Sequence, residues 1–144
     1  MRTKPIIFEN IKTNHTSFMV DFKIDNNITF IVGDSGVGKS AVFSFLQELA
    51  AEDRRIRCFN YLEKSKGYKS TIKRSRGKLF VIDNADILLD DQLRHYISMD
   101  AQNQYIIIGR NPTGLLLNYD EMYELENSLN DDITIFSLKK CSIG

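Results

Sequence analysis

Two kinds of hydrophobic pattern alternate along this chain of 144 residues. Apolar and polar residues alternate over 17–24, which predicts a half-buried strand, with residues 5–12 as its hairpin partner. Unbroken apolar runs predict strands that are covered on both faces, and these lie at 28–32, 79–82 and 105–108. Shorter apolar segments predict further strands at 56–62, 122–126 and 133–138.

Helical spacing appears between these strands. An apolar stripe at i, i+3, i+4 and i+7 follows residue 40 and comprises Val42, Phe45, Leu46 and Leu49. A second helix is expected from a cap at Asp86 to about Ser98, whereas residues 63–78 and 109–118 are expected to be loops. Strands that alternate with helices predict one α/β domain over residues 1–144, a sandwich with a mostly parallel central sheet and an N-terminal β-hairpin.

The connection between the strand at 28–32 and the first helix carries the strongest motif. Its eight residues match G-x-x-x-x-G-K-S/T at every fixed position: Gly33, Asp34, Ser35, Gly36, Val37, Gly38, Lys39 and Ser40. Glycines let successive backbone N–H groups converge on a phosphate, and the helix that starts near Lys39 adds its positive end. Lys39 can reach the β- and γ-phosphates, Ser40 can bind Mg²⁺, and Ala41 in the first helical turn is also expected to contact the nucleotide.

A carboxylate follows the next fully apolar strand. Residues 79–82 run directly into Asp83, and the carboxyl end of a buried parallel strand is where ligands bind in open α/β sheets. Together with the loop, Asp83 is expected to bind Mg²⁺, usually through a water molecule.

These two motifs resemble those of the P-loop NTPase superfamily. The opening hairpin and the strand before the loop resemble the start of ABC-type domains, in the branch with an additional strand that also includes AAA ATPases, although the sequence lacks an LSGGQ-like signature. The resemblance implies a three-layer P-loop sandwich that binds Mg²⁺ and ATP. The chain carries no N-K-x-D base-reading motif, so ATP is the default nucleotide and GTP stays open.

The chain departs from this family at the residue that activates water. The branch usually has Glu after the Mg²⁺-binding Asp, whereas this chain has Asn84, which can orient water but cannot accept its proton. Asp86 is either a substitute base or a helix cap. Arg110, after the strand at 105–108, either contacts the γ-phosphate or a partner, or is a surface charge.

Three functions fit these residues. The first is an ATPase that is slow or is activated when a partner, or a second copy of the chain, completes the site. The second is a nucleotide-dependent binding module with little hydrolysis. The third is a kinase for a small molecule or nucleotide, with a phosphate-clamping lid made of Arg54, Arg55, Lys73, Arg74 and Arg76.

The charges are unevenly distributed, although 19 basic and 19 acidic residues cancel. Residues 54–82 hold ten bases and one acid, whereas residues 83–138 hold eleven acids and two bases. Tyr61 and Tyr68 interleave with the lysines of the basic segment 54–78, so this segment is either a solvated loop or a nucleic-acid contact.

The remaining features indicate a cytoplasmic protein that does not associate with membranes. The longest apolar runs fall far short of the roughly 18 residues of a membrane span, and the first residues do not form a secretory signal. Cys58 and Cys141 share no motif spacing and are expected to be reduced thiols.

Overall fold

The computed structural model describes residues 4–32, 38–60 and 67–141. Within these ranges the chain forms eight strands, four α-helices and a 3₁₀ turn at Tyr119–Glu121. The strands are β1 (Asn10–Asn14), β2 (Phe18–Lys23), β3 (Ile28–Val32), β4 (Ile56–Phe59), β5 (Leu79–Ile82), β6 (Gln104–Gly109), β7 (Met122–Asn130) and β8 (Ile133–Lys140). The helices are α1 (Lys39–Glu52), α2 (Tyr68–Arg74), α3 (Ala85–Leu88) and α4 (Asp91–Met99).

All eight strands belong to one curled, mixed sheet with the order β1-β2-β8-β7-β3-β6-β5-β4. The strands from β7 to β4 in this order pair in parallel, as do β2 and β8, whereas β1–β2 and β7–β8 are antiparallel. The α/β class and the N-terminal β-hairpin are therefore observed. The expected P-loop sandwich with a mostly parallel central sheet is wrong, because the sheet is curled and mixed, with antiparallel pairs in the half that contains the hairpins.

The β7–β8 hairpin is the physical reason for this correction. The two residues between these strands, Asp131 and Asp132, make a tight turn, and a connection this short can only join antiparallel strands. The turn inserts β8 between β7 and β2, so that the N-terminal hairpin extends the same sheet. The sequence predicted both strands but ended the first at residue 126, four residues before its observed end, and did not pair them.

The strands at the centre of the sheet are buried on both faces, as their unbroken apolar runs predicted. In β5, Leu79 and Val81 pack in the cluster that contains α1, whereas Phe80 and Ile82 pack in the cluster that contains α2, α3 and α4. The hairpin half follows the other pattern, since Val20 and Phe22 are buried while Asp21 and Lys23 are exposed on β2.

Two helical predictions differ from the structure. Residues 68–74, expected to be loop, form α2 because Tyr68 and Ile72, one helical turn apart, insert into the core. The expected helix from Asp86 is interrupted after Leu88, and the second part has its cap at Asp90, whose carboxylate accepts a hydrogen bond from the Leu93 N–H at 2.8 Å. No helix in the described ranges combines the length and apolar composition that a membrane crossing needs.

The hairpin turn provides a test of this topology. Asp131 and Asp132 both have positive φ, 50° and 67°. This conformation is less favourable for a residue with a Cβ atom than for glycine. Asp132→Gly is expected to raise the free energy of unfolding by about 0.5–1 kcal/mol, measured by urea denaturation. The control Asp21→Gly, at an exposed position in the middle of β2, is expected to lower it by about as much. A loss of stability in Asp132→Gly would contradict the turn conformation.

Candidate functional site

The predicted site residues meet at the carboxyl ends of β3, β6 and β5, which are adjacent parallel strands. A cavity of about 330 Å³ opens there between the start of α1 and the ends of β5 and β6. Six of the predicted residues line it: Gly38, Lys39, Ser40, Asp83, Asn84 and Arg110. Ala41 follows in the first turn of α1, whereas Gly33, Asp34, Ser35, Gly36 and Val37 lie outside the described residues.

The first turn of α1 presents positive charge to this cavity. Gly38 is the N-cap residue, with φ 90°, and no side chain caps the helix. The first turn contains no acidic residue and begins with Lys39. A helix of 14 residues concentrates partial positive charge and unsatisfied N–H groups at this end, which suits an anion.

A side chain from the antiparallel half of the sheet packs closely against Gly38. A Cβ atom added to Gly38 would lie 2.6 Å from Cε1 of Phe136, a buried residue of β8. Phe136 itself packs near the rings of Phe18 and Phe45, with centroid separations of 6.0 Å and 6.5 Å. The hairpin that makes the sheet mixed therefore supports the end of the glycine-rich segment, a contact that no sequence motif indicates.

Asp83 lies at the end of β5, half-buried on the cavity wall. Burial raises the pKa of its carboxyl, and two smaller effects oppose this shift: a hydrogen bond donated by the Asn84 N–H at 2.8 Å, and the charge of Lys39. The predicted lysine, Lys39, is thus close enough to the predicted acid, Asp83, to favour its ionised form.

Oxygen ligands in the cavity match the requirements of Mg²⁺. The described residues contain no group of three His, Cys, Asp or Glu side chains that could enclose a metal ion. Mg²⁺, however, usually keeps several waters and takes one or two protein oxygens together with substrate phosphates. The Ser40 hydroxyl and the Asp83 carboxylate, which line the same cavity, supply such a pair.

Asn84 forms the sharp connection between β5 and α3. Its backbone is left-handed, with φ 54° and ψ 43°, a conformation that Asn tolerates better than most residues. Its carbonyl accepts hydrogen bonds from the N–H groups of Ile87 and Leu88, at 2.9 and 3.1 Å. Asn84 therefore fixes the start of α3 and places an amide-bearing residue on the cavity wall.

Asp86 is neither the helix cap nor a free base. Its two carboxylate oxygens accept the backbone N–H groups of Arg110 and Asn111, at 2.9 and 3.0 Å. The guanidinium of Arg94 lies 3.7 Å away. The neighbouring Gly109 permits this approach, because a Cβ there would lie 3.2 Å from Cβ of Ala85. Asp86 thus holds the segment after β6 against α3.

Arg94 is a structural residue of the site that the sequence analysis did not identify. Its side chain is 7% exposed and donates hydrogen bonds to the carbonyls of Leu89, Asn111 and Thr113, at 3.1, 2.6 and 2.8 Å. A buried guanidinium needs such partners. The available signal was that Arg94 and Arg110 are the two bases among residues 83–138.

Arg110 differs from Arg94 in being exposed. Its backbone is fixed by Asp86, while the residue lines both the first cavity and an adjoining one of about 500 Å³ that also contains Ile87 and Asn111. Its position allows contact with a bound phosphate or with a partner.

The residues considered for a kinase lid do not line the cavity in this structure. Arg54 and Arg55 precede β4, and Arg76 precedes β5, so they lie at the amino ends of these parallel strands, whereas the cavity lies at the carboxyl end of β5. The kinase stays an untested alternative. Tyr68 is buried with 5% exposure, which excludes it as a stacking surface for bases, and Tyr61 lies outside the described residues.

Comparisons with known proteins do not add to this assignment. No protein-family model matches the chain, and no curated protein or solved structure is significantly similar to it. The function must therefore be argued from the residues and their geometry.

The packing at Gly38 can be tested with a matched glycine. Gly38 and Gly67 both have positive φ, 90° and 68°, but a Cβ added to Gly67 meets no atom within 4 Å. Gly67→Ala is expected to cost about 1–2 kcal/mol of stability from backbone strain alone. Gly38→Ala is expected to cost about 1–3 kcal/mol more, because its methyl group would collide with Phe136. Equal losses in urea denaturation would contradict the close contact.

Asp83 provides a pH-dependent test. An acid whose pKa is raised by folding destabilises the folded protein once it is ionised, so this cost is present above the folded pKa and disappears below the ordinary pKa of 3.8. Asp83→Asn is therefore expected to stabilise the nucleotide-free protein at pH 7, with the gain shrinking as the pH falls toward about 4. The control Asp21→Asn, at an exposed position on β2, is expected to change stability by less than about 0.5 kcal/mol. A loss of stability in Asp83→Asn at pH 7 would contradict the raised pKa.

Proposed function

We propose that this chain is a Mg²⁺-dependent nucleoside triphosphate-binding protein of the P-loop type that hydrolyses its nucleotide slowly. The observation that carries the proposal is the meeting of Lys39, Ser40 and Asp83 around one cavity, although Asp83 is 44 residues away from Lys39 in the sequence. ATP is the default nucleotide, and GTP is an alternative that the same residues can bind.

Different residues would bind the phosphates and the metal ion. The start of α1 and the ammonium group of Lys39 attract the phosphates, and the Ser40 hydroxyl and the Asp83 carboxylate would hold the metal ion. When bound, Mg²⁺ neutralises charge on the β- and γ-phosphates. Without the ion, Asp83 would repel the phosphates, which is why we infer that nucleotide binding depends on Mg²⁺.

We infer slow hydrolysis from the contacts of Asp86, which lines the cavity together with Asp83. Activation of water requires a free base within hydrogen-bond reach of it. Asp86, the acid that could replace the missing Glu, is a weak base in this setting, because its two oxygens accept backbone N–H groups and the guanidinium of Arg94 lies 3.7 Å away. Asn84 can hold a water molecule but cannot take its proton. Among the described residues that line the cavity, the remaining carboxylate is that of Asp83, which we assign to the metal ion.

The lack of a suitable base for water among the described cavity residues also favours a second function, in which the bound nucleotide acts as a signal. A protein that keeps its triphosphate intact can present the occupied state to a partner. Arg110 and the adjoining cavity, which are open to solvent, provide a surface next to the nucleotide site. A partner that inserts an arginine there would instead accelerate hydrolysis, by about 10³–10⁵ in known cases.

Nucleotide binding is tested by thermal shift. Mg·ATP at about 100 times its Kd is expected to add about 2.7 kcal/mol of stability and to raise Tm by several degrees, and Mg·GTP serves as the comparison. Lys39→Ala is expected to remove this shift, whereas Lys23→Ala, at an exposed position on β2, is expected to keep it. The absence of a shift with either nucleotide would overturn the proposal.

Phosphate release, measured on the same samples, separates the two functions. The wild-type protein is expected to release phosphate slowly, and Asn84→Glu is expected to accelerate release by supplying the missing carboxylate. Binding without any release would favour the signalling function.

A further inference from the structure

A strip of exposed basic residues lies at the edge of the sheet opposite the nucleotide cavity. It comprises Arg54, Arg57, Lys73, Arg74 and Arg76, which are exposed, together with the half-buried Lys78, and we call it the basic edge. Since Lys78 precedes β5 and Asp83 follows it, five residue steps, or about 16 Å of extended chain, separate the basic edge from the cavity. A ligand on this strip would not compete with a nucleotide for space.

The fold brings two separate parts of the chain together in the basic edge. The ammonium group of Lys78 donates a hydrogen bond to the carbonyl of Arg54 at 2.8 Å, and the N–H of Leu79 donates one to the carbonyl of Arg55 at 2.7 Å. The start of β4 is thereby joined to the segment before β5. Because β4 is the last strand of the sheet, this border is open on its outer side in the described structure.

Helix α2 adds charge on the same face of the sheet. Arg57 lies 5.6 Å from the ring of Phe59, which packs against Tyr68 of α2. The last turn of α2 contains Lys73 and Arg74. Since α2 runs from β4 back toward the start of β5, its basic end lies beside the segment that carries Arg76.

A half-exposed aromatic ring lies among these cations. The ammonium group of Lys73 is 6.0 Å from the ring centroid of Tyr96, and the Tyr96 hydroxyl donates a hydrogen bond to the Lys73 carbonyl at 3.2 Å. Burial and the nearby charge of Asp100 raise the pKa of Tyr96, and the charge of Arg76 partly opposes this shift. Tyr96 offers an accessible aromatic ring that the buried Tyr68 cannot provide.

The positive charge of the basic edge is only partly compensated. The neighbouring Arg55 and Lys69 form ion pairs with Asp53 and Asp90, and these two carboxylates also lie in the electrostatic field of Lys78 and Lys73. Within the described ranges, no carboxylate lies at salt-bridge distance from the six members of the strip. A protein of zero net charge thus carries a local excess of positive charge at this edge.

We propose that the basic edge binds the phosphate backbone of a single-stranded nucleic acid. Its extension along a strand border and a helix end suits a linear polyanion, and four of its six bases are arginines, whose planar fork matches phosphate. An aromatic ring between cations provides the stacking face that single-strand binders combine with a charged groove.

The test measures binding of the full chain to a labelled single-stranded oligonucleotide of about 20 nucleotides by fluorescence anisotropy, from about 50 to about 200 mM salt. The triple variant Lys73→Gln, Arg74→Gln, Arg76→Gln is expected to bind at least ten-fold more weakly. Its salt slope is expected to fall by about 2, because each lost phosphate contact removes about 0.7.

A matched triple variant has the same change of charge elsewhere. Lys12→Gln, Lys23→Gln and Lys140→Gln alter exposed residues of β1, β2 and β8, and this variant is expected to bind within two-fold of wild type. Lys39→Ala is also expected to retain oligonucleotide binding, so failure of the nucleotide proposal would not affect this result. Circular dichroism confirms that each variant is folded.

Three results would overturn the proposal: no binding by the wild type at about 50 mM salt, equal weakening by both triple variants, or equally tight binding to polyglutamate or to phosphatidylserine vesicles. The last result would show a general polyanion surface rather than a nucleic-acid site.

Discussion

The pairing of three central strands is the constraint on which the candidate site depends. β3 pairs with β6 so that Val32 lies opposite Gly109, and β6 pairs with β5 so that Ile107 lies opposite Ile82. A parallel ladder fixes all carboxyl ends on one border, and close packing on both faces holds the register, since a slip of one residue would exchange the side chains that fit the two core clusters. Asp83 and Arg110, which follow β5 and β6, are therefore held around one cavity before any ligand is bound.

The antiparallel half of the sheet adds the second constraint. Phe136 of β8 contacts the position where Gly38 lacks a side chain, so the last glycine of the motif is required both by its backbone conformation and by packing. The same strand connects the N-terminal hairpin to the centre of the sheet. The hairpins at this end are thus part of the support of Gly38, and a mixed sheet is compatible with the ligand chemistry that the motif predicts.

How much could be predicted from the sequence depends on the range of the interaction. β3 and β5 were predicted with their observed ends, because fully buried strands leave unbroken apolar runs. Helix α2 was missed because two inward residues in seven produce no recognisable stripe. The pairing of β8 with β2 and the roles of Arg94 and Asp86 could not be predicted, because each depends on backbone groups brought close only by the complete fold.

The charges of the cavity have to be counted after these internal partners are assigned. The cavity is lined by two bases, Lys39 and Arg110, and by two acids, Asp83 and Asp86. If all four charges counted equally, the cavity would have no net attraction for a phosphate. The structure changes this balance, because the guanidinium of Arg94 lies 3.7 Å from Asp86 and offsets its charge. Among the described residues that line the cavity, a triphosphate would then meet two cations and the positive end of α1 against the carboxylate of Asp83. Since Mg²⁺ would bind that carboxylate, a group that repels phosphate becomes a ligand for the ion that the nucleotide carries.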